Sequence, residues 1–187
     1  EFSNYCKNDC TYCGISIHNK ELTRYHMTPE EVIKTAEIGY SLGFRTFVMQ
    51  GGEDTSFTDD KFAAIISSIK TQFPEAAVTL SIGERSTESY QKLYDAGADR
   101  FLIRHETINK KLYEKLHPKM SYENRIKSLF DLKDIGFQVG TGFMVGVPGQ
   151  EIEDIANDLL FIKELNPHMI GIGPFIPHKN TPLRDES

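Results

Sequence analysis

Along this chain, apolar positions recur alternately at helical spacing and in short unbroken runs. Val32, Ile33, Ala36 and Tyr40 fall on one face of a helix that opens at Thr28-Pro29-Glu30-Glu31. Thr is a favoured N-cap, Pro fits the first helical position, and a Glu at the third can bond back to the cap. Gly43 supplies the stop, and residues 46–50 read as a buried strand. The alternation then repeats. Thr58-Asp59-Asp60 opens a helix bearing Phe62, Ile65, Ile66, Ile69 and Phe73, followed by a strand over 77–82. Ser86 starts a helix through Tyr90 and Leu93 to Gly97, followed by a strand over 100–104. A short helix over 110–116 stops before Pro118, and Ser121 caps a longer one carrying Ile126, Leu129, Phe130 and Ile135 up to Gly136. A strand over 137–144, a helix marked by Ile152, Ile155, Leu159 and Ile162, and a strand over 169–173 complete the series. With Glu1-Phe2-Ser3-Asn4 read as the end of an opening strand, the pattern predicts six strands with helical segments between them.

Alternation of this kind predicts an α/β fold, a parallel sheet covered by helices. A doubly wound sheet would place a glycine-rich phosphate turn after its first strand, and no G-x-G-x-x-G opens a helix here. In a (β/α) barrel, chemistry collects on the loops that follow the strands. Those loops carry Gln50, Gly51, Gly52 and Glu53; Ser81 and Glu84; Arg104, His105 and Glu106; Thr141 and Met144; Pro174 and His178. The expectation is a parallel barrel of the TIM type, here a partial barrel of about six strands. One domain over 1–187 is expected, as a segment of a longer chain, since it starts without Met and ends on polar Arg184-Asp185-Glu186-Ser187.

Composition narrows the class. The 187 residues are 39% hydrophobic, enough for one packed core. Twenty-seven acidic against 21 basic residues give a net charge of -6, which argues against a sequence-independent nucleic-acid binder. No apolar run approaches the roughly 18 residues of a membrane span, and the N-terminus does not read as a signal peptide. A cytoplasmic location is expected.

The three cysteines, Cys6, Cys10 and Cys13, are the informative residues. Their C-x3-C-x2-C spacing lies in the loop after the opening strand, and an odd number so closely set cannot be a disulfide framework. Such spacing lets thiolates point at one centre, as metal and cluster loops require. A [4Fe-4S] cubane held by three thiolates keeps one iron open to another ligand. The alternative is a structural zinc site completed by His18 or His26, for which no second ligand pair is evident.

Cys6-x3-Cys10-x2-Cys13, with Tyr12 just before the third cysteine, resembles the signature of radical S-adenosylmethionine (SAM) enzymes. Gly51-Gly52-Glu53 resembles their glycine-rich motif, with Gly51 where Ser is usual. Glu1-Phe2-Ser3-Asn4, Gln50-Gly51-Gly52-Glu53-Asp54, Arg104-His105-Glu106-Thr107, Met144-Val145-Gly146-Val147-Pro148-Gly149-Gln150 and Gly171-Ile172-Gly173-Pro174-Phe175-Ile176-Pro177-His178 point to the biotin synthase-like branch. Within it they are most similar to the HydE-type maturases of [FeFe]-hydrogenase.

The resemblance implies a [4Fe-4S] cluster on Cys6, Cys10 and Cys13, and SAM cleaved reductively to a 5′-deoxyadenosyl radical in a transferase of hydrogenase maturation. Gly51, Gly52 and Glu53 would meet the methionine amino group, Arg125 the SAM carboxylate, with Glu106 also assigned to SAM. Tyr12, Met144 and Val145 would lie near the adenine. Gln50, Thr79, Ser81 and Arg104 are the substrate candidates; Thr79 and Ser81 lie two apart on one strand and share a face. Each has a plainer reading. Arg125 could be a solvated helix residue, Glu106 a surface carboxylate, Tyr12, Met144 and Val145 ordinary packing, and the hydroxyls could bond neighbouring barrel side chains. Arg104 in a lumen needs an anion, from Glu106 or a substrate. His105 and His178 read as loop residues near the mouth.

The implied partners are a small organometallic or amino-acid-like substrate, an electron donor such as a ferredoxin or flavodoxin, and other hydrogenase maturases, with neither nucleic acid nor membrane. The rivals are a methylornithine synthase-like mutase or sulfur insertion, and a non-catalytic iron–sulfur or zinc scaffold.

Overall fold

Local chemistry sets the helix starts. Residues 1–186 are described by the structure, a computed structural model of the chain. In α1 (Pro29–Ser41), Thr28 Oγ1 accepts from Glu31 N at 3.2 Å while Glu31 Oε2 accepts from Thr28 N at 2.7 Å. That reciprocal bonding satisfies two backbone donors that a helix start otherwise leaves open. Thr58, Ser86, Asn109 and Ser121 cap α2 (Asp59–Gln72), α3 (Thr87–Asp95), α4 (Lys110–Leu116) and α5 (Tyr122–Ile135) through their side-chain oxygens. Gly136 ends α5 in the left-handed conformation, with φ 113°. The last helix is α6 (Ile152–Leu165).

The strands are β1 (Thr46–Gln50), β2 (Ala77–Ser81), β3 (Arg100–Leu102), β4 (Gln138–Val145) and β5 (Met169–Pro174). They form one parallel sheet in the order β1-β2-β3-β4-β5. Sequential order decides between the two candidate architectures. Right-handed crossovers that always step the same way put every helix on one face, whereas a doubly wound sheet must reverse. The result is a half-barrel, with helices on the convex side and an open concave side.

Among the described residues there are five strands rather than six. The opening segment lies beside β1, with Phe2 N donating to Gln50 O at 3.0 Å, but closes only one parallel bridge, Ser3 with Gly51. At its other edge Ser3 bridges His26 antiparallel, so the chain turns away before a ladder can grow.

The main core lies between sheet and helices. Phe62, Ile65, Ile66 and Ile69 of α2 pack with Val78, Leu80, Tyr90, Leu93, Phe101, Leu129 and Leu132, all at most 1% exposed. Since Val78, Leu80 and Phe101 face the helices, Thr79, Ser81, Arg100 and Leu102 face the concavity, and the register Val48↔Thr79, Gln50↔Ser81 adds β1 to that face. On β4 and β5 the inward positions include Gly140, Gly142, Gly171 and Gly173. A Cβ on Gly140 would meet Leu102 at 2.7 Å, and one on Gly171 would approach the Arg104 guanidinium at 3.8 Å.

Candidate active site

The cysteine loop is pinned across the carboxyl ends of the strands. Lys7 N donates to Glu53 O at 3.2 Å beyond β1, and Thr11 N donates to Leu116 O at 2.9 Å at the end of α4. Arg24 braces it from behind, giving Nη1 to Ile15 O at 2.8 Å and Nη2 to Ser16 O at 2.6 Å. Gly52 lets the strand end come close: a Cβ there would overlap Tyr5 O and sit 2.7 Å from Cys6 Cβ. Absence of a side chain at Gly52 is therefore what seats the loop.

Cys6, Cys10 and Cys13 are free, half-buried, and line one cavity of about 520 Å³ together with Gln50, Gly51, Gly52, Glu53, Ser81, Arg104, Glu106 and Arg125. Burial, then the neighbouring Cys13 and Cys6, push the Cys10 thiol far up; burial also raises Cys13. Two thiols, Cys10 and Cys13, that resist ionising suit a centre that supplies positive charge. Among the described residues no three Cys, His, Asp or Glu side chains close on a point that would hold a single ion. A cubane takes its ligands at separate corners, so a spread trio around a cavity fits it better than a mononuclear zinc. His18 and His26 do not complete the set. They face Asp9 at 4.0 Å and Asp54 at 3.4 Å, outside the cavity.

A polar network runs along the cavity wall. Tyr12 Oη donates to Glu106 Oε1 at 3.2 Å and lies 3.4 Å from His117 Nε2, while His117 Nδ1 lies 3.1 Å from Cys10 Sγ. Glu106 is buried, its backbone sits at φ 64°, and its Oε2 has no hydrogen-bond partner. A strained backbone holding a carboxylate oxygen without a donor is a site awaiting one. Burial raises the Glu106 carboxyl, against the opposing pull of Arg125 and Arg104. Arg125 is buried on α5, its Nε donating to Glu84 Oε1 at 2.6 Å and its Nη1 to Arg104 O at 2.5 Å. Among the described residues its Nη2 meets only the Met120 sulfur, at 3.9 Å. Arg125 is thus no solvated helix residue, and Glu106 no surface carboxylate.

Gln50, Ser81 and Arg104 line the cavity beside these groups. Thr79 lies on the same face, one step deeper, and does not reach it. Arg104 faces no carboxylate at ion-pair distance among the described residues and is exposed, because a half-barrel leaves its concave side open to water. Burial of its charge, expected for a closed lumen, is not incurred. Met144 packs with Tyr12, Leu112, Leu116 and Val147, and Val145 is 36% exposed; neither lines the cavity.

His105 is not near the mouth. It is fully buried toward the helices, 3.0 Å from Thr141 Oγ1 through Nδ1 and 3.6 Å from Asp158 through Nε2. It shares the parity of Phe101 and Ile103, which face the helices, while Arg104 faces the concavity. His178 is exposed and lies over Gly14, where a Cβ would come 2.8 Å from its ring. His117 and Glu84 were missed as site residues. For His117 the only signal is a ring nitrogen donor at the stop of a helix, just before Pro118.

Residues 1–162 match the family model described as the Radical SAM superfamily. The chain belongs to the radical SAM superfamily. It is 50% identical over 186 residues to the [FeFe] hydrogenase maturase subunit HydE of Thermotoga maritima, covering 100% of this chain and 53% of that protein. It is 30% identical to the 3-methylornithine synthase of Methanosarcina acetivorans, over 97% of this chain and 52% of the relative. The chain thus spans about half the length of these relatives. Among solved radical SAM structures, methylornithine synthase superposes with a TM-score of 0.91 at 28% identity, over 98% of this chain and 54% of that one. HydG, a maturase of the [FeFe]-hydrogenase, superposes at 0.82 and 26% identity, over 96% of this chain and 43% of the other. Among the described residues no helix is long and apolar enough to cross a membrane.

Proposed function

We propose that residues 1–187 form the cluster-binding core domain of a radical SAM transferase, a HydE-like enzyme of [FeFe]-hydrogenase active-site maturation, working in the cytoplasm. The observation that carries this reading is 50% identity along the whole chain to the HydE relative, against 30% to methylornithine synthase. A [4Fe-4S] cluster with SAM bound would supply reductive cleavage of the sulfonium to a 5′-deoxyadenosyl radical. Cys6, Cys10 and Cys13 hold the cluster. Gly51, Gly52 and Glu53 meet the SAM amino group, and the Nη2 donors of Arg125, left free by Glu84, take its carboxylate. Glu106 offers its unpartnered Oε2 to a donor on SAM. Tyr12, Met144 and Val145 flank the adenine, Tyr12 and Met144 from one apolar cluster.

Gln50, Ser81 and the exposed Arg104 orient the substrate, with Thr79 beneath them. Arg104, an exposed guanidinium at the cavity wall, suits a substrate carrying a carboxylate, such as a cysteine-ligated iron carbonyl cyanide. A ferredoxin or flavodoxin supplies electrons, and other hydrogenase maturases act before or after this step. The TM-score of 0.91 favours, as second reading, a methylornithine synthase-like mutase acting on an amino acid.

The test is anaerobic reconstitution of the full-length protein with iron and sulfide, then SAM and dithionite. Iron, sulfide and 5′-deoxyadenosine are measured together, then consumption of the organometallic precursor. Zinc in place of iron, or no 5′-deoxyadenosine, overturns the radical reading. Rearrangement of an amino acid with the precursor untouched transfers the assignment to the mutase.

A further inference from the structure

The three cysteines are not equivalent. Among the described residues, side-chain polar groups reach the sulfur of Cys10 alone, through His117 Nδ1 at 3.1 Å; neither Cys6 nor Cys13 has such a contact. The imidazole is fixed on every side. Its backbone N–H caps α4 on Tyr113 O at 2.8 Å, and its ring stacks on Tyr113 with centroids 4.5 Å apart. Tyr12 meets it edge-on at 5.4 Å and places a hydroxyl 3.4 Å from Nε2. Only 1% of the residue is exposed. So much ordering of one ring, 107 residues from Cys10 in the chain, exceeds what closing a helix needs.

We infer that His117 is a positioning residue that donates its Nδ1 proton to the sulfur of Cys10 and thereby raises the reduction potential of the cluster. This rests on the radical SAM reading above. The tautomer follows from proton counting. A metal-bound Cys10 sulfur carries no proton, so the proton shared with Nδ1 belongs to the ring. A neutral imidazole has one N–H, which leaves Nε2 an acceptor facing the Tyr12 hydroxyl. A donor at a thiolate ligand offsets negative charge, more so in the reduced cluster, and hydrogen bonds to sulfur are among the terms that set cluster potentials. The single Tyr12 hydroxyl proton goes either to Glu106 Oε1 or to His117 Nε2, so this hydroxyl stands between the Cys10 corner and the carboxylate side of the cavity.

The experiment is an EPR-monitored redox titration of the full-length reconstituted protein and of His117→Asn, His117→Gln and His117→Ala. An Asn amide sits near the Nδ1 position, whereas Gln reaches toward Nε2. The expected result is a shift to more negative potential in Gln and Ala at full iron content, with Asn close to the parent protein. Equal potentials in all four, or an equal shift in all three variants, overturns the inference. If iron is lost from Gln and Ala but kept by Asn, the donor role is supported; loss from all three assigns His117 to packing alone and overturns it. A parent protein that takes up no cluster fails the functional reading itself, a result distinct from these.

Discussion

Arg125 and Glu84 meet at 2.6 Å, Nε to Oε1, with side chains only 7% and 10% exposed. Asn124 Nδ2 donates to the other carboxylate oxygen at 2.5 Å. Removing one member of a buried pair strands the other charge, so Glu84→Ala is expected to cost about 3 kcal/mol of stability, and Glu84→Gln less. Urea unfolding of the ligand-free full-length protein measures it; an unchanged midpoint would show that Glu106 alone suffices as counter-charge.

Gly52→Ala is expected to dislodge the cysteine loop, because the added methyl overlaps the Tyr5 carbonyl and crowds Cys6. Helical circular dichroism stays near the parent level, since α1 through α6 are untouched, while iron and sulfide per chain fall severalfold. Retained iron at parent levels refutes the role given to Gly52.

Arg104→Ala should leave cluster content unchanged and SAM cleavage detectable, while turnover of the substrate drops at least tenfold. Among the described residues the side chain makes no ion pair, so its loss strands no buried charge. Loss of the cluster in this variant would mean that Arg104 supports the fold.

Glu106 gives stability of the ligand-free protein a pH dependence of known sign. Burial raises its carboxyl above the ordinary 4.5 in the folded state. The protonated form is therefore favoured by folding, its contribution present below 4.5 and lost as pH climbs through the raised value. Glu106→Gln, which cannot ionise, should be more stable than the parent at pH 8 and show a smaller difference at pH 5. A difference that grows toward acid would contradict it.

Much of the architecture was legible because it is written locally. Thr28, Thr58, Ser86 and Ser121 start helices by reaching their own backbone three residues on, and Gly136 ends one by its own conformation. The cysteine spacing is likewise a short-range signal. What could not be read depends on topology. His117 meets Cys10 across 107 residues and Arg125 meets Glu84 across 41, contacts created only when successive strands bring their loops to one rim. The parity of Thr79 and Ser81 was readable from a period of two; that Thr79 stops short of the cavity was not, because depth depends on the neighbouring register. His105 was misplaced for a related reason. It keeps the parity of Phe101 and Ile103, which face the helices, so its side follows from the strand continuing beyond β3.

Along β4 and β5 the concave wall is bare peptide at Gly140, Gly142, Gly171 and Gly173. Whatever rests against that stretch would be gauged by thickness more than by charge, since amides and carbonyls cannot swing aside as rotamers do. A methyl at Gly173, which has nothing within 4 Å, would narrow the chamber without touching a polar contact, whereas one at Gly142 would overlap Gly171 O, so discrimination between bulky and slim guests is set on one flank by the backbone itself.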